Sequence, residues 1–134
     1  MSILITGGAG YIGSNLAQYF SNTTIVDNFY WSNQHSLNGT LGNNSIQVIN
    51  KDIRYIANNR DFLEQFDTII HLAAIVGASA CNEDDNYALH VNEYATRDIV
   101  KNIRPDTHII YINTNSGYGR SNEDICTEER HLEP

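Results

Sequence analysis

The sequence predicts an α/β fold in which five parallel strands, in the order 3-2-1-4-5, are flanked by helices. Short apolar runs alternate along the chain with segments of helical periodicity, and this alternation is typical of βαβ units. The fourth run contains the adjacent pair Ile69-Ile70, which indicates a strand buried on both faces, as in a parallel sheet. Crossovers between parallel strands are right-handed almost without exception, and the strand order follows from that rule.

The first strand and the turn after it carry the clearest functional signal. The run Ile3-Leu4-Ile5-Thr6 leads into glycines at positions 7, 8, 10 and 13, spaced G-x-x-G-x-x-G and, from Gly8, G-x-G-x-x-G. A helix is predicted to start near Tyr11 and to stop by Ser21-Asn22. Glycine at such a turn lets a pyrophosphate approach the backbone amides, and the helix N-terminus favours the anion.

A glycine-rich turn without a ligand is the alternative interpretation of this motif. The context favours a dinucleotide, because a strand precedes the glycines, a helix follows them, and Asp27 closes the next apolar run at about the expected twenty-residue offset. A carboxylate there can accept from both adenosine ribose hydroxyls and would repel a 2′-phosphate, which selects NAD over NADP. Asp is also common as a cap where a strand enters a turn, so a purely local role stays open.

The remaining elements are predicted from local patterns in chain order. Four further strands are expected at 23–27, 45–50, 68–72 and 108–113. Residues 28–44 form a predicted long loop rich in Asn, Ser and Gly, and an amphipathic helix is expected over 55–66. The longest helix is predicted from Asp84 to Ile103, where apolar residues recur every three or four positions before Pro105.

Composition limits the class of protein. A chain of 134 residues, 41% of them hydrophobic, can bury one core, so residues 1–134 are interpreted as a single domain. The net charge of -8 and the scattered Lys and Arg argue against a nucleic-acid partner. No apolar run approaches the roughly twenty residues that cross a bilayer, and Met1 leads directly into the first strand, so we expect no membrane partner and a cytoplasmic location. No histidine has a carboxylate or cysteine at ligand spacing, and no metal site is predicted.

Six short motifs follow one another at the ends of the predicted strands and on the long helix. They are Thr6-Gly7-Gly8-Ala9-Gly10-Tyr11-Ile12-Gly13, Asp27-Asn28, Asp52-Ile53, His71-Leu72-Ala73-Ala74, Asn92 with Ala95-Thr96, and Thr114-Asn115-Ser116-Gly117-Tyr118-Gly119. Together they resemble the extended short-chain dehydrogenases/reductases, the group of NAD-dependent sugar-nucleotide epimerases and dehydratases. The resemblance implies that residues 1–134 are an NAD-binding Rossmann domain, incomplete at its C-terminus. The resemblance further implies that the C-terminal strands and the substrate domain, which holds a nucleotide-sugar, lie outside residues 1–134.

The resemblance also implies which residues contact NAD. Asp52 resembles the acid that contacts the adenine, with the Ile53 amide beside it, although an ordinary turn Asp fits the bare sequence nearly as well. Asn92 is a polar residue on an apolar helical stripe and would lie close to the cofactor and the active-site loops. The expected cofactor-binding residues are Gly7, Gly10, Tyr11, Ile12, Gly13, Asp27, Asn28, Asp52, Ile53, Leu72, Ala73, Ala74 and Asn92.

Thr114 is the expected catalytic residue. It follows the fifth strand, at the crevice where open α/β sheets bind ligands, and matches the Ser or Thr that in the family hydrogen-bonds the reacting sugar hydroxyl. The family's base is a Tyr four residues before a Lys, but the only lysines here are Lys51 and Lys101 and neither completes a Tyr-x-x-x-Lys. His71 is interpreted as a structural residue at the end of the fourth strand.

These expectations describe the cofactor-binding portion of an NAD-dependent nucleotide-sugar epimerase or related oxidoreductase that acts by hydride transfer at a sugar hydroxyl. The segment after Thr114 lacks the acidic pair of the 4,6-dehydratases, which argues against that subclass. A non-catalytic NAD-binding module, or a decayed fragment of such an enzyme, is the alternative. Family dimers use helices, of which the one ending at Ile103 is present, so a homodimer is also open.

Overall fold

The computed structural model, which describes residues 1–32, 37, 45–119, 127, 129 and 131, has a five-stranded sheet at its centre. Its strands are β1 (Ile3–Thr6), β2 (Thr23–Asp27), β3 (Ile46–Asn50), β4 (Thr68–His71) and β5 (His108–Tyr111). The order is β3-β2-β1-β4-β5, and every neighbouring pair is parallel. The predicted fold class and strand order are therefore confirmed, with small differences at the strand ends.

Helices connect the strands along both faces of the sheet. They are α1 (Tyr11–Leu16), α2 (Ile53–Ile56), α3 (Arg60–Leu63), α4 (Ala78–Glu83), α5 (Asp85–Leu89) and α6 (Ala95–Asn102). A 3-10 segment, Ala17–Tyr19, extends α1, and Asn115–Tyr118 forms a second 3-10 turn. A π-helical segment, His90–Tyr94, joins α5 to α6. The predicted longest helix is therefore present, but its middle is wider than a regular α-helix.

The helices of the structure depart from the prediction in two places. The single helix expected over 55–66 is wrong, because α2 and α3 are separate and the Asn59 side chain caps α3 by accepting from the Phe62 amide. Asparagine favours such a cap over a helix interior. Helix α4 was not predicted, and none of its residues is buried, so it leaves no apolar periodicity in the sequence.

Alternate strand residues enter two separate apolar cores. Leu4, Val26 and Ile69 pack on one face with residues of α2, α3, α5 and α6. The residues next to these along the strands, such as Ile5 and Ile25, pack on the other face with Ala17, which follows α1. All four residues of β1 are buried, so the central strand packs into the cores on both faces of the sheet.

The strand β5 is an open edge of the sheet. Within the described residues it pairs with β4 alone, and Ile110, Tyr111 and Ile112 are 41%, 55% and 51% exposed. Unpaired backbone groups beside apolar side chains are a template for pairing with another chain.

We expect the chain to be marginally stable and to self-associate through this edge. Ile110→Lys should reduce the association, because a charge on an edge strand disfavours edge-to-edge pairing. Sedimentation velocity over a series of protein concentrations measures it, and Val100→Lys on the exposed side of α6 is the control that should change nothing. A monodisperse monomer with a sharp unfolding transition would contradict the expectation.

Candidate functional site

A cavity of about 1360 Å³ opens at the carboxyl end of the sheet. Its walls come from the glycine turn after β1, the segments after β2 and β3, residues 71–77 after β4, and residues 111–114 after β5. Because β2 and β4 lie on opposite sides of β1, the connections leave this end of the sheet in two directions. Such a switch point is where open α/β sheets bind their ligands.

The glycine turn is shaped by close approach between backbones. Gly7 has a φ of +66°, and a Cβ there would lie 2.7 Å from the Ala73 nitrogen. A Cβ on Gly13 would lie 2.6 Å from the Gly8 Cα, so α1 packs directly on the turn. Over Gly10, by contrast, a Cβ would meet only the Gly7 carbonyl oxygen, at 3.2 Å. Gly7 and Gly13 allow the backbones to pack against each other at the turn, whereas Gly10 leaves space that opens into the cavity.

The start of α1 faces this space with its backbone amides. Gly10 is the N-cap and provides no side-chain cap, while the first turn of any helix has N–H groups without intrahelical acceptors. The Tyr11 and Ile12 side chains are 88% and 50% exposed, so neither covers the turn. The residues present therefore fit a pyrophosphate at this end of the helix.

The Asp27 carboxylate is held in place at the end of β2. Its Oδ1 accepts from the Phe29 amide at 2.8 Å and from the Ser32 hydroxyl at 3.2 Å, and its Oδ2 accepts from the Ala9 amide at 2.9 Å. The bond to Ala9 ties the carboxylate to the glycine turn. Since a carboxylate has about four acceptor positions, a hydroxyl donor can still be accepted.

Lys51 lies on the same side of the cavity as Asp27. Its amide donates to the Asp27 carbonyl oxygen at 3.0 Å, and the residue lines the cavity while being exposed. The structure therefore places the backbone of a lysine next to that of Asp27, the residue expected to reject a 2′-phosphate.

His71 connects β1 to the helix opposite. The ring is 2% exposed, with Nδ1 2.7 Å from the Thr6 hydroxyl and Nε2 2.9 Å from the Thr96 hydroxyl. The Thr6 hydroxyl also accepts from the Ala73 amide, and the Thr96 hydroxyl donates to the Asn92 carbonyl oxygen. Hydrogen-bond directions along this series match at every step only when Nε2 carries the ring proton, which assigns the tautomer.

Protonation of this ring would disrupt the series. A second ring proton on Nδ1 would point at the Thr6 oxygen and leave the Thr6 hydroxyl hydrogen without an acceptor within the described network. Burial lowers the pKa of His71 from 6.5 to about 4. The interpretation of His71 as structural agrees with this geometry.

The Asn92 side chain holds the loop after β4. Its Oδ1 accepts from the Ile75 amide at 2.8 Å, and its Nδ2 donates to the Ile75 carbonyl oxygen at 2.9 Å. Asn92 lies in the π-helical segment and lines the cavity. Both polar groups of the amide are thus used on the backbone of the loop, which fixes the cavity wall formed by residues 72–75.

A second carboxylate, that of Asp52, is enclosed by hydrogen-bond donors. Arg54 donates to it from Nε at 2.9 Å, from Nη2 at 3.0 Å and from its amide at 2.9 Å. Asn28 Nδ2 and the Tyr87 hydroxyl each donate to Oδ2 at 3.2 Å. Burial alone would raise the pKa of Asp52, but the hydrogen bonds from Arg54 outweigh it and hold that pKa below its usual value.

Thr114 lies at the opposite end of the cavity, three residues after β5. Its amide donates to the Asn113 side chain at 2.8 Å, its carbonyl oxygen accepts from the Gly117 amide at 3.1 Å, and the residue is exposed. The fixed backbone thus presents the threonine at the rim of the cavity.

Most of the residues predicted from sequence come together in this one cavity. Those that line it are Gly7, Gly10, Tyr11, Ile12, Gly13, Asp27, Asn28, Ile53, Leu72, Ala73, Ala74, Asn92 and Thr114. Asp52 instead lines an adjoining depression with Arg54 and Tyr87.

Tyr87 and the Thr6–Thr96 connection were not assigned from the sequence. Tyr87 counted there only as part of an apolar helical stripe, and the spacing contains no sign that its hydroxyl meets Asp52.

Within the described residues there is no cluster of three metal-ligating side chains. No helix in that part of the chain is long and apolar enough to cross a membrane.

A parallel sheet with a glycine turn, an uncapped helix start and an acid at the end of β2 defines a dinucleotide-binding α/β protein. The chain belongs to the NAD dependent epimerase/dehydratase family, whose pattern matches residues 3–134. NAD is therefore the cofactor that characterises its family, as predicted.

Individual relatives are similar over almost the whole chain. A UDP-N-acetyl-alpha-D-glucosaminuronate decarboxylase of Bacillus cytotoxicus is 31% identical over 96% of this chain and 41% of the relative. The structure of UDP-glucuronic acid 4-epimerase from Bacillus cereus, in complex with UDP-glucuronic acid and NAD, is 25% identical with a TM-score of 0.81, over 100% of this chain and 46% of that one. UDP-N-acetylglucosamine 4-epimerase from Methanobrevibacter ruminantium, at 21% identity and a TM-score of 0.85 over 99% of this chain and 44% of that one, supports the fold. The chain thus spans less than half the length of these relatives.

The buried His71 predicts a pH dependence of stability. Because its pKa is about 4 in the folded chain and 6.5 in the unfolded chain, the unfolded chain binds more protons between these values. The contribution of neutral His71 to the free energy of unfolding is fully present above about pH 6.5 and is lost as the pH falls toward 4. We expect it to amount to about 3 kcal/mol of unfolding free energy, as measured by urea denaturation at a series of pH values.

The variant His71→Gln should flatten this part of the pH profile, whatever it does to stability at pH 7. His108→Gln, at an exposed position, is the matched control and should keep the slope. An unchanged slope in His71→Gln would rule out His71 as its source.

Proposed function

We propose that this chain is the NAD-binding part of an enzyme that acts on a nucleotide-sugar by hydride transfer at a sugar hydroxyl. The observation that carries the proposal is the single cavity that joins the open glycine turn, Asp27 and Thr114. Residues 1–134 would form one domain of a longer protein, since the relatives are more than twice as long. Substrate-binding residues would then come largely from outside this chain.

The cavity offers each part of the dinucleotide a suitable group. The amides at the start of α1 suit the pyrophosphate, and the Asp27 carboxylate suits a hydroxyl of the adenosine ribose. The backbone of residues 72–75 would form the wall beside the nicotinamide half. This backbone is held by Asn92 and by the hydrogen bond from the Ala73 amide to Thr6. Bound NAD would supply the hydride acceptor, and the chain itself would supply orientation.

Thr114 would orient the reacting hydroxyl of the sugar by a hydrogen bond. A threonine hydroxyl is too weak a base near neutral pH to take the proton that must leave with the hydride. The second candidate is a module that binds NAD without catalysis. Residues 1–134 contain no Tyr-x-x-x-Lys pair, so the downstream reading frame distinguishes the two candidates. If the downstream reading frame encodes that pair, the enzyme is favoured. If the reading frame stops after Pro134, the non-catalytic module is favoured.

We expect the chain to bind NAD at least tenfold more tightly than NADP, because Asp27 would lie beside the nearly doubly charged 2′-phosphate. Asp27→Asn should weaken NAD binding and narrow the difference between the two cofactors. Lys51→Gln should widen the difference, because the neighbouring cation is removed. Isothermal calorimetry with both dinucleotides measures these changes.

The matched control for this series is Asp61→Asn, an exposed aspartate that does not line the cavity. Its binding of both cofactors should equal that of the unmodified chain. Equal affinity of the unmodified chain for NAD and NADP would refute the assignment of Asp27.

We expect no turnover of nucleotide-sugars by the 134-residue chain, even with NAD bound. General-base help contributes about a hundredfold to ten-thousandfold, and positioning of the sugar over the nicotinamide contributes more. Both are missing here. The assay incubates the chain with NAD and a panel of UDP-, GDP-, CDP- and dTDP-sugars, and follows NADH absorbance and epimer formation.

Turnover that disappears in Thr114→Ala would overturn this expectation. It would mean that another residue of this chain acts as the base. Tyr118, the last residue of the 3-10 turn after Thr114, would be the first to be replaced.

A further inference from the structure

Residues 76–83, which contain α4, form part of the cavity wall but pack little on the rest of the fold. None of the residues of α4 is buried, and the apolar side chain of Val76 is 77% exposed. A single hydrogen bond, from the Cys81 thiol to the Ile75 carbonyl oxygen at 3.4 Å, joins the segment to the other described residues. Three of its residues line the cavity, namely Val76, Gly77 and Ala80. Segments with so few buried contacts open at a low free energy.

Both ends of this segment are anchored. Ile75, which precedes it, is 7% exposed and is hydrogen-bonded through its amide and its carbonyl oxygen to the Asn92 side chain. Asp84, which follows it, ends α4 and caps α5 by accepting from the Tyr87 amide at 2.9 Å. Residues 76–83 therefore form a strap between two fixed points.

Gly77 gives the strap a hinge at its first anchored end. It has a φ of +93°, which favours glycine, and a Cβ there would meet no atom within 4 Å. Packing therefore requires a glycine at Gly7 and Gly13 but not at Gly77. What glycine provides at this position is rotation of the backbone, and a few such residues are enough to absorb the movement of a lid.

The strap lies beside the part of the cavity where the reaction would take place. Strand β4 lies between β1 and β5, so residues 76–83 leave the sheet between the glycine turn and Thr114. In the proposed function the nicotinamide half of the cofactor and the reacting sugar hydroxyl meet there. The exposed Val76 side chain stands at the edge of this space.

We propose that residues 76–83 are a lid that rotates at Gly77 and closes over the nicotinamide half of the bound cofactor, burying the Val76 side chain. The inference rests on the proposed NAD binding. Burial of an apolar side chain favours the closed form, and α4 has no buried residue whose packing must first be broken. Closure would exclude water from the place of hydride transfer.

Cys81 reports on the lid without lining the cofactor cavity, because it belongs to α4 but is not part of the cavity wall. The measurement is the rate at which Cys81 is alkylated in the Cys126→Ser chain, with and without saturating NAD. Opening of the lid breaks the bond between the thiol and Ile75, so NAD should slow alkylation about fivefold or more.

ADP-ribose, which has no nicotinamide, is the control ligand for this measurement. At saturation it stabilises the whole fold by binding but offers the lid nothing to close on, so the alkylation rate should stay within about twofold of that in the free chain. Gly77→Ala should lessen the effect of NAD on alkylation, because a side chain restricts the rotation that closure needs. Undiminished protection in Gly77→Ala would reject Gly77 as the hinge.

Val76→Ser tests the side chain that closure buries. It should weaken NAD binding about fivefold in calorimetry and leave the affinity for ADP-ribose unchanged, because apolar area is lost only from the closed form. Val100→Ser, at a 56% exposed position on α6 outside the cavity, is the matched control and should bind both ligands as the unmodified chain does.

A chain that binds NAD while Cys81 is alkylated at the rate of the free chain would refute the lid alone. Equal protection by NAD and ADP-ribose would also overturn the inference, since closure would not depend on the nicotinamide. An unchanged affinity of Val76→Ser for NAD would reject Val76 as the closing contact. If calorimetry detects no NAD binding by the folded chain, the proposed function fails and the inference fails with it.

Discussion

The close approach of the turn after β1 to the end of β4 is the contact on which the site depends. At Gly7 no side chain can be accommodated, since a Cβ would lie within 2.8 Å of the Ala73 backbone. The Thr6 hydroxyl accepts from the Ala73 amide and contacts His71, so hydrogen bonds reinforce the same junction. The start of α1 and the wall formed by residues 72–75 thus stand at a fixed separation. Main chain therefore bounds the cavity on both sides.

Two aspartates at similar positions in the fold differ in how completely hydrogen-bond donors enclose them. Asp27 is the last residue of β2 and Asp52 lies two residues after β3, and each accepts from a nearby backbone amide. Three donors reach Asp27, which lines the cavity, whereas five reach Asp52, which does not. The first carboxylate therefore faces the cavity with fewer donors than acceptor positions, while the second is enclosed by donors from Arg54, Asn28 and Tyr87. A short motif identifies neither outcome, because the decisive donors at Asp52 include Tyr87, which is distant in sequence.

The π-helical segment shows how a polar residue is accommodated on an apolar helix. Asn92 turns both amide groups to the backbone of Ile75, and its carbonyl oxygen accepts from Thr96. Through Thr96 the same segment reaches His71. Such wide turns are frequent at functional sites. Here the wide turn joins the long helix to the cavity wall without exposing an unpaired polar group at that junction.

The sequence by itself determined the sheet, its strand order and most of the cavity lining. The reason is local: apolar runs, β-branched residues and the glycines around Gly7 and Gly10 act over a few positions, and the topology of parallel strands then brings their carboxyl ends together. Only the tertiary structure decided which polar groups are already paired. The enclosure of Asp52 by Tyr87, the tautomer of His71 and the position of Lys51 beside Asp27 depend on contacts between residues far apart in the chain, and spacing along one sequence contains no measure of such distances.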